Sequence, residues 1–244
     1  MQIYNKESIL DFKRGTVILA GAGPGSLKQT TLKVYKSIQN ADVIIYDALV
    51  NTELLKFSKK KVELQFGGKT KIKKACSQNE INQWLLFHAK NNKKVLRLKG
   101  GDTSFFSRGS QEIKFLKSHG IEYKIFTGIT SSQLAVKSSG INFFNKKGIC
   151  NFITGHRKIN KKSVSNNFND IYSNGGKIII YMGVSQIKEI ISNLSDLGIS
   201  KKKKVIIVSN ASLPTEKVYF SNISEIQSTI LNNKVTPPSI IIIN

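Results

Sequence analysis

Short runs of aliphatic and β-branched residues recur along the chain, separated by glycine-rich turns and by polar stretches with helical spacing. "GTVILAGAGPG" opens the series as a strand broken by glycines. "LKQTTLKVYKSIQNA" follows with helical spacing at Leu32, Tyr35, Ile38 and Gln39, and "DVIIYDALV" reads as a buried strand. "KVELQFGG" is another strand, and "SQNEINQWLLFHAKNN" is an amphipathic helix opened by Ser77 with Glu80 at capping-box spacing. Next come the strand "KVLRLKGG", the helix "SQEIKFLKSHG" stopped by Gly120, and the strand "EYKIFTG". This alternation predicts a parallel sheet with helices on both faces over residues 15–128, after an N-terminal extension of residues 1–14. The sites of such sheets lie beyond the carboxyl ends of the strands, where the glycine-rich turns and Asp47 fall.

Residues 129–244 repeat the class without repeating the motifs. "NFITGHR", "KIIIYMG", "KVIIVSN", "EKVYF" and "PPSIIIIN" read as strands, with "SQIKEIISNLSDLG" and "SEIQSTILNN" as helices. "TSSQLAVKSSGINFFNKK" supplies a helix and loop that carry the chain across. The expected fold is α/β: two domains with mostly parallel sheets flanked by helices and a cleft between them.

Composition narrows the function classes. The chain has 244 residues, 40% of them hydrophobic, which excludes disorder. The first residues hold no apolar segment of signal type and the longest apolar runs are strand length, so a cytoplasmic protein without membrane contact is expected. Cys76 and Cys150 have no CxxC spacing, and His88, His119 and His156 form no ligand pair, so neither a disulfide nor a metal site is expected. The net charge of +23 favours polyanionic partners. Its lysines are scattered, however, and no aromatic and arginine stripe accompanies them, which argues against nucleic acid and for a solvated surface. Forked recognition of carboxylate or phosphate prefers arginine, so Arg14, Arg97, Arg108 and Arg157 are the more informative cations.

Two glycine turns carry the chemistry. In "GAGPG" Ser26 stands where a dinucleotide fingerprint needs its third glycine and Pro24 stiffens the turn, so a nicotinamide or flavin site is disfavoured. In "RLKGGDTSFFSRG" two glycines, an acid and two aromatics precede an arginine and a third glycine, a pattern that suits close approach of a ligand to backbone.

These blocks recur in order with "YDALV", "GGK", "GITS", "SSGI", "TGHRK", "YMG" and the terminal "PPSIIIIN". Together they resemble the S-adenosylmethionine-dependent uroporphyrinogen-III C-methyltransferases of the tetrapyrrole methylase superfamily, over residues 15–244. The resemblance makes the cleft between the domains a cofactor cleft, and implies that S-adenosylmethionine is bordered there by Pro24, Gly100, Gly101, Asp102 and Phe105 from the first domain and by Thr130, Ser131, Met182 and Ala211 from the second. It implies Asp47 as proton acceptor, Lys69 as proton donor, and Arg108 as the partner of a substrate carboxylate with a part in catalysis. The implied product is precorrin-2, methylated at C2 and C7, and the implied assembly is a homodimer. Alternatives are a methyltransferase for a later precorrin and a basic nucleic-acid binder on a degenerate methylase scaffold. The sequence departs from the family wording at Ser26, Leu27, Thr103, Gln111 and Thr127. In "NFFNKKG", Lys146 or Lys147 stands where the family has a substrate arginine, giving a point charge without bidentate geometry.

Overall fold

The computed structural model describes residues 11–68, 76–144, 148–155 and 175–244. The chain divides into two compact units, Met1–Thr130 and Ser131–Asn244. Among the described residues no helix is long and apolar enough to cross a membrane.

In the first unit β1 (Val17–Gly21), β2 (Val43–Tyr46), β3 (Glu63–Phe66), β4 (Val95–Lys99) and β5 (Tyr123–Phe126) form one sheet in the order β3-β2-β4-β1-β5. Every pairing is parallel, so all five carboxyl ends share one edge. Alternation divides each strand between two buried layers. Ile18, Ile44, Leu96 and Leu98 meet Val34 and Ile38 of α1 (Leu32–Asn40) on one face. Leu19, Ile45 and Val95 meet Ile81 and Leu85 of α2 (Gln78–Lys90) and Leu116 of α3 (Gly109–Ser118) on the other.

The local signals act as their chemistry requires. Ser77 and Glu80 form the complete capping box at the start of α2, with Glu80 N donating to Ser77 Oγ at 3.1 Å and Ser77 N to Glu80 Oε2 at 2.6 Å. The helix expected from Leu27 onward is divided: a 3₁₀ turn at Leu27–Gln29, extended backbone at Thr30 and Thr31, then α1. Its buried face is Val34, Ser37 and Ile38, while Leu32 is 59% exposed. Ser37 tolerates burial because its hydroxyl donates to the Lys33 carbonyl at 2.8 Å.

The second unit contains α4 (Ser131–Ser139), β6 (Cys150–Thr154), β7 (Lys177–Tyr181), α5 (Ile187–Asp196), β8 (Lys204–Ser209), β9 (Lys217–Asn222), α6 (Ile226–Asn232) and β10 (Ser239–Ile243). Its sheet runs β6-β7-β10-β8-β9. The α/β class holds, but the parallel expectation is corrected here: only β6–β7 is parallel, and β7–β10, β10–β8 and β8–β9 are antiparallel. The short link between β8 and β9 has no room for a crossover helix, so the chain turns straight back.

One face of this sheet, with Ile178, Ile180, Val205, Ile207, Ile241 and Ile243, packs on Ile187, Ile190 and Leu194 of α5 and on Ile226 and Ile230 of α6. On the other face the register aligns Phe152, Ile179, Ile242, Ile206 and Phe220 in a single row across all five strands. The middle of the row is buried where α4 lies against β8 and β10, whereas its ends, Phe152 at 36% and Phe220 at 72%, are exposed.

Candidate active site

Parallel pairing gathers the motif loops of the first unit at one sheet edge. "GAGPG" leaves β1, Asp47 leaves β2, Gly100 and Gly101 leave β4, and Gly128 follows β5. Gly23 and Gly101 exchange both backbone hydrogen bonds, at 3.1 and 3.0 Å, and so tie the first turn to the third.

Most of the glycines are required by the protein itself. A Cβ on Gly21 would lie 2.5 Å from the Gly101 carbonyl oxygen, and one on Gly128 would be closer still to the same atom. A Cβ on Gly100 would lie 2.6 Å from Cβ of Leu49. The expectation that side chains are missing to admit a ligand is therefore refined: Gly21 and Gly128 let the loops after β1, β4 and β5 stack backbone on backbone, and Gly100 makes room for Leu49 in the loop after β2. Gly101 differs. It has φ +72°, and among the described residues nothing lies within 4 Å of the position a Cβ would take.

Asp102 is 6% exposed, and both carboxylate oxygens serve the loops. Oδ1 accepts from the Ser104 amide at 2.7 Å and from the Ser104 hydroxyl, and Oδ2 accepts from the Gly128 amide at 2.7 Å. The residue closes a turn and straps the β4 loop to the β5 loop. Phe105, three residues on, and Pro24, in the β1 turn, are half-buried, and Thr130 is buried at the end of the unit. The Gly25 carbonyl beside Pro24 accepts from Asn51 Nδ2 at 2.8 Å.

Backbone strain concentrates in the motif loops. Among the described residues seven non-glycine positions have positive φ, and Asn92 and Lys234 simply follow the ends of α2 and α6. The other five are Phe106, Arg108, Met182, Asn210 and Ser212. Each left-handed non-glycine residue costs roughly 1–2 kcal/mol, which the surrounding contacts must offset. Arg108, at φ 58°, is the N-cap position of α3, and it is exposed, with no side-chain capping bond.

Asp47 is joined to a group of charges that sequence reasoning did not assemble. Arg97 Nη2 donates to Asp47 Oδ1, while Arg97 Nε donates to Glu112 Oε1 at 3.1 Å. Lys99 Nζ reaches both oxygens of Glu112, at 3.1 and 3.2 Å, and lies 3.5 Å from Asp47 Oδ2. Gln78 Nε2 adds a donor to Glu112 Oε1 at 3.2 Å. Arg97, Lys99 and Glu112 are almost fully buried, and the Asp47 side chain retains 29% exposure. Burial opposes the charge on Arg97, but the carboxylates of Glu112 and Asp47 outweigh it, so the Arg97 pKa is raised above its ordinary value.

In the second unit β6, β7 and β8 run in the same direction, so their carboxyl ends share an edge. Met182 follows β7 at φ 54° with 40% exposure, and Gly155 after β6 leaves room for the Met182 carbonyl. Ala211 follows β8 between the positive-φ residues Asn210 and Ser212 and is half-buried. Ser131 is the first residue of α4. Lys69, Lys146 and Lys147 lie outside the described residues.

Residues 16–227 match the family model of Tetrapyrrole (Corrin/Porphyrin) Methylases. The chain is 36% identical to a uroporphyrinogen-III C-methyltransferase from Methanocaldococcus jannaschii over 94% of its own length and 95% of the relative's. It is 33% identical to a sirohaem synthase from Psychrobacter cryohalolentis over 93% of its length, and spans 44% of that longer protein. A Thermus thermophilus uroporphyrin-III C-methyl transferase solved with S-adenyl homocysteine superposes with a TM-score of 0.75 at 29% identity, covering 94% of this chain and 92% of that one. With the family match spanning most of the chain and the motif loops gathered at strand ends, the chain belongs to the tetrapyrrole methylases.

Proposed function

We propose that the chain transfers methyl groups from S-adenosylmethionine to C2 and then C7 of uroporphyrinogen III, giving precorrin-2, in the cytoplasm. The observation that carries this reading is the near end-to-end match to the Methanocaldococcus enzyme. The loops of the first unit fit the donor: Gly101 offers an open backbone face, and a side chain there would fill it. Pro24 follows Gly23, the backbone partner of Gly101, Phe105 comes four residues after Gly101, and Asp102 straps the loop through Ser104 and Gly128. In the second unit Thr154, Met182 and Ala211 share a strand-end edge, and Met182 offers a polarizable thioether. The sulfonium supplies an already activated methyl group, so the residues around it have to orient the reactants and exclude water.

Arg108 is our candidate for the substrate carboxylate. A cation at a helix N-terminus opposes the helix dipole, and an anionic group bound there relieves that conflict. Of the two acids usual after this arginine in the family, the one replaced is Gln111, which is exposed, while Glu112 is buried against Arg97 and Lys99. The change thus removes a charge from the surface beside Arg108 and leaves the internal pair intact. Loss of a proton from the methylated carbon needs an acceptor, and Asp47 is the carboxylate with exposure at the strand edge.

Anaerobic incubation with uroporphyrinogen III and S-adenosylmethionine should add two methyl groups by mass. Arg108→Ala should reduce turnover by at least about 100-fold while S-adenosylhomocysteine affinity, measured by calorimetry, stays within a few-fold. Equal loss of both would move Arg108 into the donor site or the fold.

The assembly we propose is a homodimer that covers the exposed end of the apolar row at Phe220. Phe220 sits on the edge strand β9, where an uncovered aromatic beside unpaired backbone favours association. Phe220→Glu should shift the species seen by light scattering from dimer to monomer. A wild-type monomer at micromolar concentration would exclude this assembly.

A further inference from the structure

The Arg97–Lys99–Glu112 group uses more charge than the fold needs. A strand of this kind buries aliphatic residues on both faces, and hydrophobic replacements of internal ion pairs are commonly as stable or more so. Here Val95, Arg97 and Lys99 share the β4 face that looks toward α2 and α3. The two cations are matched by two carboxylates, Glu112 and Asp47. Glu112 is fully enclosed and can only organise its neighbours, while Asp47 reaches the strand edge.

The bonding defines a direction from the interior outward. Gln78 and both cations fix Glu112. Glu112 in turn holds the Nε side of Arg97, and the Ile45 carbonyl accepts from Nη1 at 3.3 Å, which leaves Nη2 aimed at Asp47 Oδ1. Lys99 stands 3.5 Å from Oδ2. Both oxygens of Asp47 therefore have a defined cation, and a planar guanidinium held at three points fixes the carboxylate more tightly than a surface pair can.

We propose that Arg97 is a positioning residue for Asp47, anchored by Glu112 and assisted by Lys99, and that it sets the orientation in which Asp47 meets the reacting carbon. The proposal rests on the reading of Asp47 as the proton acceptor. Arg97→Lys keeps the charge but loses the fork, so it should lower kcat by roughly 100-fold, the scale set by small misplacement of a reacting group. The KM for uroporphyrinogen III and the affinity for S-adenosylhomocysteine should change less than about threefold, because the Arg97 side chain is almost fully buried and its donors are taken by Glu112, Ile45 and Asp47.

The test is a double-mutant cycle of Arg97→Lys and Asp47→Asn, read by turnover and by thermal unfolding. If Arg97 acts through Asp47, adding Arg97→Lys to Asp47→Asn should cost less than about twofold further in kcat. The same cycle in melting temperature should be less than additive. Independent, additive effects in both readouts would overturn the proposal, as would an unchanged kcat in Arg97→Lys. Coupled melting temperatures with a fully active Asp47→Asn variant would retain the pair but remove Asp47 from proton transfer, overturning both its catalytic reading and the positioning role. Should Arg97→Lys give no folded protein, Glu112→Gln, which keeps side-chain volume but removes the charge that anchors Arg97 and Lys99, replaces it in the cycle with the same expected pattern.

Discussion

Glu112→Ala is expected to lower the free energy of unfolding by about 3–5 kcal/mol, the range found when one partner of a buried ion pair is removed. Without this carboxylate Arg97 and Lys99 face each other in the layer beneath α2 and α3, with only Asp47 to offset two charges. Gln78 also loses its acceptor there, although its bond to Asn82 at 3.2 Å remains. Glu112→Gln should cost less, because an amide oxygen still accepts from Arg97 Nε. Trp84, the only tryptophan in the chain, packs against the same apolar layer in the first unit, so its fluorescence in denaturant titrations follows the relevant transition. The control is Glu53→Ala. Glu53 meets Lys56 at 2.6 Å, but with side chains 55% and 71% exposed, a pair of that kind contributes about 0.2–1 kcal/mol at most. Comparable losses in the two variants would mean that the internal group is hydrated enough to behave as a surface pair.

The same residues show where sequence reading reaches its limit. Among the described residues the apolar runs identified all ten strands, because a β-branched stretch between turn residues has few other uses. The capping box at Ser77 was legible because both partners lie within one helical turn. "VLRLK" was less legible. Alternation in a strand ordinarily marks a solvent face, and nothing local distinguishes it from a face covered by two helices that carry a matching acid. Gly100 and Gly101 were both credited to the ligand, but Gly100 makes room for Leu49 after β2, a contact that depends on strand order rather than on any one turn, while Gly101 keeps an open Cβ direction. The antiparallel pairings of the second sheet did have a signal. Only "NASLPTE" separates β8 from β9, too short for the helix that a parallel crossover needs. Asp47, Arg108 and Met182 were singled out by family wording, and the structure adds what wording cannot: a pair of cations behind the first and left-handed backbone at the other two.

Gly101→Trp is expected to abolish the calorimetric signal with S-adenosylhomocysteine, and three glycine variants separate ligand space from folding. At Gly101 the direction of a Cβ is open among the described residues, so a side chain there starts into space where we place the donor. Its φ of +72° adds strain of roughly 1–2 kcal/mol for any L-residue, a cost that Gly101→Ala carries alone. Gly101→Ala should therefore melt at about the same temperature as Gly101→Trp while keeping measurable donor binding. Gly21→Ala is the opposite case: its methyl meets the Gly101 carbonyl oxygen at 2.5 Å, and the backbone of Gly128 prevents it from moving aside. That variant should lose more stability than either change at Gly101, despite adding the smallest possible side chain. Retained S-adenosylhomocysteine binding in a folded Gly101→Trp protein would place the donor away from this loop. The reading of Pro24, Gly100, Gly101, Asp102 and Phe105 as its border would then fail as a group, because Gly101 is where that border is open.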